Sequence, residues 1–310
     1  MELFLPILLL ILGFTMLVKG ADWFVEGASG IADKFGIPQL VIGLTIVAFG
    51  TSAPEAAVSI TAALKGSADI TIGNIVGSNI LNILLILGIT ATIVTVAVKE
   101  STIQVEIPFM IVVTVLLLIL GYQGNSINFV DGLILWAMFI VFFVYLFCMT
   151  KKGKSEGITD EKQRSIGKLL IFTLIGIVLI VWGSDVTVNS ATKIAQEFGL
   201  SQRFIGLTIV ALGTSLPELM TSVLAAIKGK ADIAMGNIVG SNIFNILFVV
   251  GTTALITPVT FSNNFVIDAM VAIAAAILLF FCVTKTSSLK RKAGIVMLLS
   301  YGAYFIYLIA

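Results

Sequence analysis

The sequence predicts an all-α polytopic membrane protein with ten transmembrane helices in two inverted-topology repeats of five. Three observations carry that expectation. First, 58% of the 310 residues are hydrophobic, 11% are charged and mean hydropathy is +1.12; soluble domains run nearer about 45–50% apolar and about 25% charged. Second, apolar segments of about 20 residues, long enough to cross a bilayer, follow one another almost without pause. Third, the chain repeats at an offset of 163 residues, as in "TIVAFGTSAPE" at Thr45–Glu55 and "TIVALGTSLPE" at Thr208–Glu218.

The expected spans lie near 3–32, 38–64, 69–97, 104–121 and 128–149, then 167–195, 201–227, 232–257, 264–284 and 290–309. The first, "LFLPILLLILGFTMLV", lacks a basic flank and a small-residue cleavage site, so it reads as a retained helix and not a signal peptide. The one clearly polar stretch, Thr150 to Lys168, divides the chain into a first five-helix repeat (1–149), a linker (150–168) and a second repeat (169–310).

The repeat is dense. Between Ile42 and Gly88, 32 of 47 positions match their partners 163 residues on, and "GNIVGSNILNIL" at 73–84 faces "GNIVGSNIFNIL" at 236–247. An odd number of spans per repeat makes the second enter the membrane from the opposite side, a plan common among secondary transporters. The positive-inside rule sets the orientation. With both termini outside, the inner loops receive 14 Lys and Arg residues and the outer loops 3, Lys65, Lys193 and Arg203.

Several functions are excluded. A net charge of +1 gives no bulk field for nucleic acid. Cys148 and Cys282 sit singly in apolar segments and read as small buried hydrophobes, with no metal-ligand spacing or disulfide framework. Histidine is absent, and no phosphate loop or nucleophile–base pair suggests covalent catalysis. No cofactor is expected.

The chemistry concentrates where the repeat is strongest. In each "GTS-x-PE" the proline removes a backbone donor and collides with the carbonyl one turn earlier, freeing carbonyls around Ala48–Thr51 and Ala211–Thr214. At membrane depth such groups need protein, water or an ion. Thr51, Ser52, Thr214 and Ser215 add hydroxyls, and Glu55 and Glu218 add one carboxylate per repeat. A glutamate inside a bilayer costs about 2.5–3.5 kcal/mol on insertion scales. Two at matching positions point to function. Ser78 and Asn82 lie four apart on one helical face, as do Ser241 and Asn245, and Gly77 and Gly240 permit close helix contact. Plainer readings exist: the serines can bond back onto their own helices, the asparagines can hold helices together, and Asn74 and Asn237 can brace contacts. Asp69 and Asp232 read as helix caps, and Asp22 and Asp185 as polar packing positions. An all-oxygen ligand set suits Ca²⁺ and Na⁺ and argues against zinc or copper.

The paired "GTS-x-PE" and "GN-I-V-G-S-N-I-x-N" segments resemble the alpha repeats of sodium/calcium exchangers in the calcium/cation antiporter superfamily. The likeness covers essentially the whole chain and is to the compact prokaryotic type. It implies Na⁺/Ca²⁺ antiport in the cell membrane, with Glu55 and Glu218 as shared ligands. Thr51, Thr214 and the carbonyls of Ala48 and Ala211 would complete the coordination, and Ser52, Ser215, Ser78 and Ser241 would line flanking Na⁺ sites. Asn82 and Asn245 would line the centre. Many relatives, potassium-dependent exchangers among them, carry aspartate where this chain has Asn245, whereas potassium-independent animal exchangers carry asparagine, so the resemblance implies K⁺-independence. Spans one and six are expected to slide past the other eight. Two glutamates give a charge of −2, neutralised by one Ca²⁺ or two Na⁺; a third Na⁺ would make transport electrogenic. The rival readings are a Ca²⁺/H⁺ antiporter and a cation channel. Expected partners are the two ions and the lipid bilayer, with no obligatory protein partner.

Overall fold

The computed structural model describes residues 3–65, 69–153, 165–198 and 211–309. Helix α1 (Phe4–Phe35) is followed by a broken pair, α2 (Gln39–Thr51) and α3 (Ala53–Leu64), then by α4 (69–93). The short strand β1 (Val96–Ala97) leads to α5 (Thr102–Gly124), strand β2 (Ser126–Ile127) and α6 (Phe129–Gly153). The second half runs α7 (Ile166–Glu197), α8 (Ala211–Thr214), α9 (Leu216–Ile227), α10 (Ala231–Ile256), β3 (Val259–Thr260), α11 (Asn263–Thr284), β4 (Ser288–Leu289) and α12 (Arg291–Ile309). Among the described residues seven helices are long and apolar enough to cross a membrane, and the α2–α3 pair makes an eighth if read as one span. The start of the expected seventh span, including Arg203, and most of the linker lie outside the described residues.

Local chemistry explains the breaks. Gly36 closes α1 in the left-handed conformation at φ 62°, a backbone state that glycine adopts without a Cβ penalty. Its neighbour Ile37 donates to the Ala32 carbonyl at 2.9 Å. Gly229 at φ 75° does the same after α9. Pro54 and Pro217 each sit in the first turn of a new helix, where a missing N–H costs nothing.

Repeat mates α1 and α7 pack antiparallel along their lengths. Gly13 faces Gly183 and Thr187, Gly20 faces Gly176 and Ile180, and Gly27 faces Thr173. A Cβ on Gly20 would come within 2.9 Å of the Gly176 carbonyl oxygen, so this crossing needs small residues, as close membrane helix pairs do. Strand β1 pairs antiparallel with β4, and β2 with β3, so each two-stranded sheet joins one half to the other. The centre belongs to α4 and α10, whose apolar windows are 72% and 94% buried, against 28% and 22% for α1 and α7.

Some expectations are corrected here. Cys148 is exposed and Cys282 only half-buried, because an apolar side chain facing lipid needs no protein cover. Asp232 does not cap its helix: Lys230 holds that position, and Asp232 Oδ2 instead pairs with Lys99 Nζ at 2.8 Å. The Asp69 side chain lies outside the described residues. Asp22 pairs with Lys228 at 2.5 Å, joining α1 to the end of α9. Gly240 makes the close contact expected of it, 2.8 Å from the Leu44 Cα to a built Cβ, whereas a Cβ on Gly77 would meet nothing within 4 Å among the described residues.

Candidate cation site

The two breaks converge on the centre of the molecule. Helices α2 and α3 are bent by 50° across Ser52, and Ser215 sits at the equivalent joint between α8 and α9. The proline at 217 removes the donor that the Gly213 carbonyl would have had. Ser184 Oγ of α7 replaces it at 2.6 Å. Before the first joint, the Ala48 carbonyl accepts from Ser52 N (3.0 Å) and Ser241 Oγ (3.4 Å), with Thr51 Oγ1 3.3 Å away.

Glu55 and Glu218 begin the helices that follow, and both are fully buried. Each has a partner in the opposite half. Ser52 Oγ donates to Glu218 Oε1 at 2.9 Å, and Ser215 Oγ to Glu55 Oε1 at 3.4 Å. Ser78 Oγ lies 3.3 Å from Glu55 Oε1 and 3.1 Å from Ser215 Oγ. The second carboxylate oxygen of each glutamate, Oε2, has no hydrogen-bond partner among the described residues.

Helices α4 and α10 switch to wider π-turns over Asn82–Leu87 and Asn245–Val250, a distortion often found at functional sites. Asn82 and Asn245 open those turns and are fully buried. Asn82 Nδ2 donates to Asn242 Oδ1 at 3.0 Å and Asn245 Nδ2 to Asn79 Oδ1 at 3.1 Å. Their own Oδ1 atoms are unpaired among the described residues.

Of the residues expected from sequence, Ala48, Thr51, Ser52, Glu55, Ser78, Asn82, Ser215, Glu218, Ser241 and Asn245 are all buried; bonds join Ser52 to Glu218, Glu55 and Ser78 to Ser215, and Ser241 to the Ala48 carbonyl, while Asn82 and Asn245 are tied to Asn242 and Asn79. Thr214 is only half-buried in α8, while Thr51 is fully buried and held to Asn237 Oδ1 at 2.9 Å. Ala211 opens α8, and its side chain lies outside the described residues. Asn74 and Asn237, set aside as braces, take matching roles: Nδ2 of each bonds the carbonyl of the repeat's glutamate (3.3 and 3.4 Å) and a serine, Ser59 (3.0 Å) or Ser222 (2.9 Å). Asn79 and Asn242 were not singled out. The signal was their identity at matching positions one turn before Asn82 and Asn245. Away from the centre, Glu106 of α5 is also fully buried, with Tyr145 of α6 donating to its Oε1 and Oε2 unpaired.

A family profile described as "Sodium/calcium exchanger protein" matches residues 5–148 and 168–310. The chain belongs to the sodium/calcium exchanger family. It is 33% identical to the sodium/calcium exchanger MaX1 of Methanosarcina acetivorans over 97% of both chains, and 36% identical to the inner membrane protein YrbG of Escherichia coli over 97% of this chain and 94% of that one. A solved structure of the sodium-calcium exchanger NCX_Mj superposes with a TM-score of 0.85 at 32% identity, covering 98% of this chain and 99% of the other. The protein is thus a multi-pass membrane antiporter and not an enzyme, and ion exchange requires no cofactor.

Proposed function

We propose that this exchanger moves Na⁺ against Ca²⁺ through a single central site built on Glu55 and Glu218. One observation carries the reading. Four buried acceptors, Glu55 Oε2, Glu218 Oε2, Asn82 Oδ1 and Asn245 Oδ1, have no donor among the described residues, and they form two pairs related by the 163-residue offset. A buried acceptor left unpaired costs about 1–3 kcal/mol, more when charged. A cation bound among all four would offset that cost, and hard oxygen ligands with two negative charges suit Ca²⁺ or two Na⁺. Thr51, Thr214 and the carbonyls of Ala48 and Ala211 would complete the shell, and Ser52, Ser215, Ser78 and Ser241 would line flanking Na⁺ positions.

The remaining parts of the reading follow from charge and symmetry. A third Na⁺ on hydroxyl and carbonyl dipoles makes exchange electrogenic. With an amide at Asn245 the site holds two carboxylates, which favours K⁺-independence. Two five-span halves, 1–149 and 169–310, joined by the linker 150–168, make ten spans of inverted topology. In support, β1 and β4 pair in loops assigned to the inner side by charge, and β2 and β3 in loops assigned to the outer side. Both termini then lie outside the cell membrane and the linker inside. A single chain supplies both halves of the site, so no protein partner is required. The α1–α7 pair, whose apolar windows are only 28% and 22% buried, is the unit that slides to alternate access.

Reconstituted into Na⁺-loaded proteoliposomes, the protein is expected to take up ⁴⁵Ca²⁺ only when Na⁺ can leave, with no need for K⁺ and with a membrane potential that alters the rate. Uptake driven equally by a proton gradient without Na⁺ would overturn the reading.

A further inference from the structure

We propose that Asn79 and Asn242 are positioning residues that aim the amide oxygens of Asn82 and Asn245 at the transported cation. The inference rests on the central-site reading above and adds the device that fixes the polarity of its two amides.

An asparagine amide is ambiguous by shape. One end accepts and the other donates, and a half-turn about the last side-chain bond exchanges them. An Asn82 or Asn245 facing a cation with its NH₂ group would repel what its oxygen binds. Nothing in either side chain decides which end is presented; the surroundings must.

The deciding atoms are main-chain carbonyls, which are acceptors in every state. Asn242 Nδ2 donates to the Asn79 carbonyl at 3.2 Å, and Asn79 Nδ2 to the Asn242 carbonyl at 3.2 Å. Those two bonds fix the amides of Asn79 and Asn242 with their Oδ1 atoms turned the other way. There each Oδ1 receives the NH₂ of the opposite repeat: Asn82 Nδ2 on Asn242 Oδ1 at 3.0 Å, Asn245 Nδ2 on Asn79 Oδ1 at 3.1 Å. Each NH₂ group thereby has an N–H engaged, and the side-chain atom left without a partner on Asn82 and Asn245, among the described residues, is Oδ1. Reversing any one amide would set donor against donor or acceptor against acceptor in a region where Asn79 and Asn242 are 3% and 1% exposed. The four amides thus have one consistent orientation, and it presents acceptors. Because each link crosses from one half to the other, the same bonds hold α4 against α10.

The test separates orientation from packing. Asn79→Leu removes the acceptor that holds Asn245, so its amide is free to turn. In Na⁺-driven ⁴⁵Ca²⁺ uptake KM for Ca²⁺ is expected to rise about tenfold, the scale of one lost ionic acceptor, with a smaller change in kcat. A carboxylate has two equivalent oxygens and needs no aiming. In an Asn245→Asp background, adding Asn79→Leu should therefore change KM by less than about twofold. The mirror pair, Asn242→Leu with and without Asn82→Asp, should behave alike. A tenfold loss that persists in the Asn245→Asp background, or an Asn79→Leu variant with unchanged KM, would each overturn the proposal. Absence of Na⁺-driven uptake in the unmodified protein would instead overturn the central-site reading itself.

Discussion

Substitution of Gly20 by alanine tests the α1–α7 crossing most sharply. The added Cβ would lie 2.9 Å from the Gly176 oxygen, the Ile180 nitrogen and the Leu179 Cβ. Two of those three atoms are backbone and cannot rotate away. Comfortable contact begins near 3.5 Å, so the helices must part by roughly 0.5–1 Å, and gaps of that size forfeit about a quarter to a half of each neighbouring contact. Overpacking of this kind costs about 1–3 kcal/mol, against about 1 kcal/mol gained from alanine's helix propensity. The net expectation is a destabilisation of about 0–2 kcal/mol, which leaves Gly20→Ala about 1–3 kcal/mol below a glycine-to-alanine change that meets no neighbour. Gly302→Ala in α12 is the control, since a Cβ there meets nothing within 4 Å; it should be neutral or stabilising by up to about 1 kcal/mol. Thermal unfolding in detergent, followed by tryptophan fluorescence, reads both. Trp23 of α1 stacks on Phe172 of α7 with ring centroids 5.8 Å apart and so reports on the interface directly. Equal stability of the two variants would refute the packing argument.

Other substitutions separate the site from its supports. Ser52→Ala removes the 2.9 Å donor to Glu218 Oε1 and is expected to shift the Na⁺ concentration for half-maximal exchange by about 3–10-fold, measured by Na⁺ titration of ⁴⁵Ca²⁺ efflux. Tyr145→Phe strips the donor from the buried Glu106 carboxylate and should lower unfolding stability by about 1–3 kcal/mol while leaving KM for Ca²⁺ unchanged. Lys228→Ala breaks an ion pair whose side chains are 32% and 36% exposed, so its loss should cost less than about 1 kcal/mol in the same unfolding assay.

Much of the site is legible because it is written twice. A single Glu55 in an apolar run is ambiguous; Glu218 at the same place in a second copy makes both functional candidates, and the neighbouring hydroxyls and amides come with them. What the repeat cannot supply is direction. Asn79 and Asn242 lie beside Ser78 and Ser241 in the motif, yet their role depends on contacts across the halves, between residues about 160 positions apart. The Ser184 bond to the Gly213 carbonyl has no mate, since Ala21 stands at the matching position, so comparing repeats could not reveal it. Glu106 is invisible for the same reason: Ala269 is its counterpart. The glycines at 13, 20 and 27 recur every seven residues, a readable stripe, but their partners on α7 follow only from the antiparallel packing. The cysteines were misjudged because burial in water-soluble cores is a poor guide where lipid covers the outer face.

The central claim is that one set of buried oxygens serves both ions. Equilibrium binding of ⁴⁵Ca²⁺ to the purified protein, displaced by Na⁺, tests it most directly. The account predicts saturable binding of one Ca²⁺ per chain, full displacement by Na⁺ with a Hill coefficient above one, and loss of binding in Glu55→Gln and in Glu218→Gln. Ca²⁺ that stays bound in saturating Na⁺, or that binds undiminished in either variant, would contradict it.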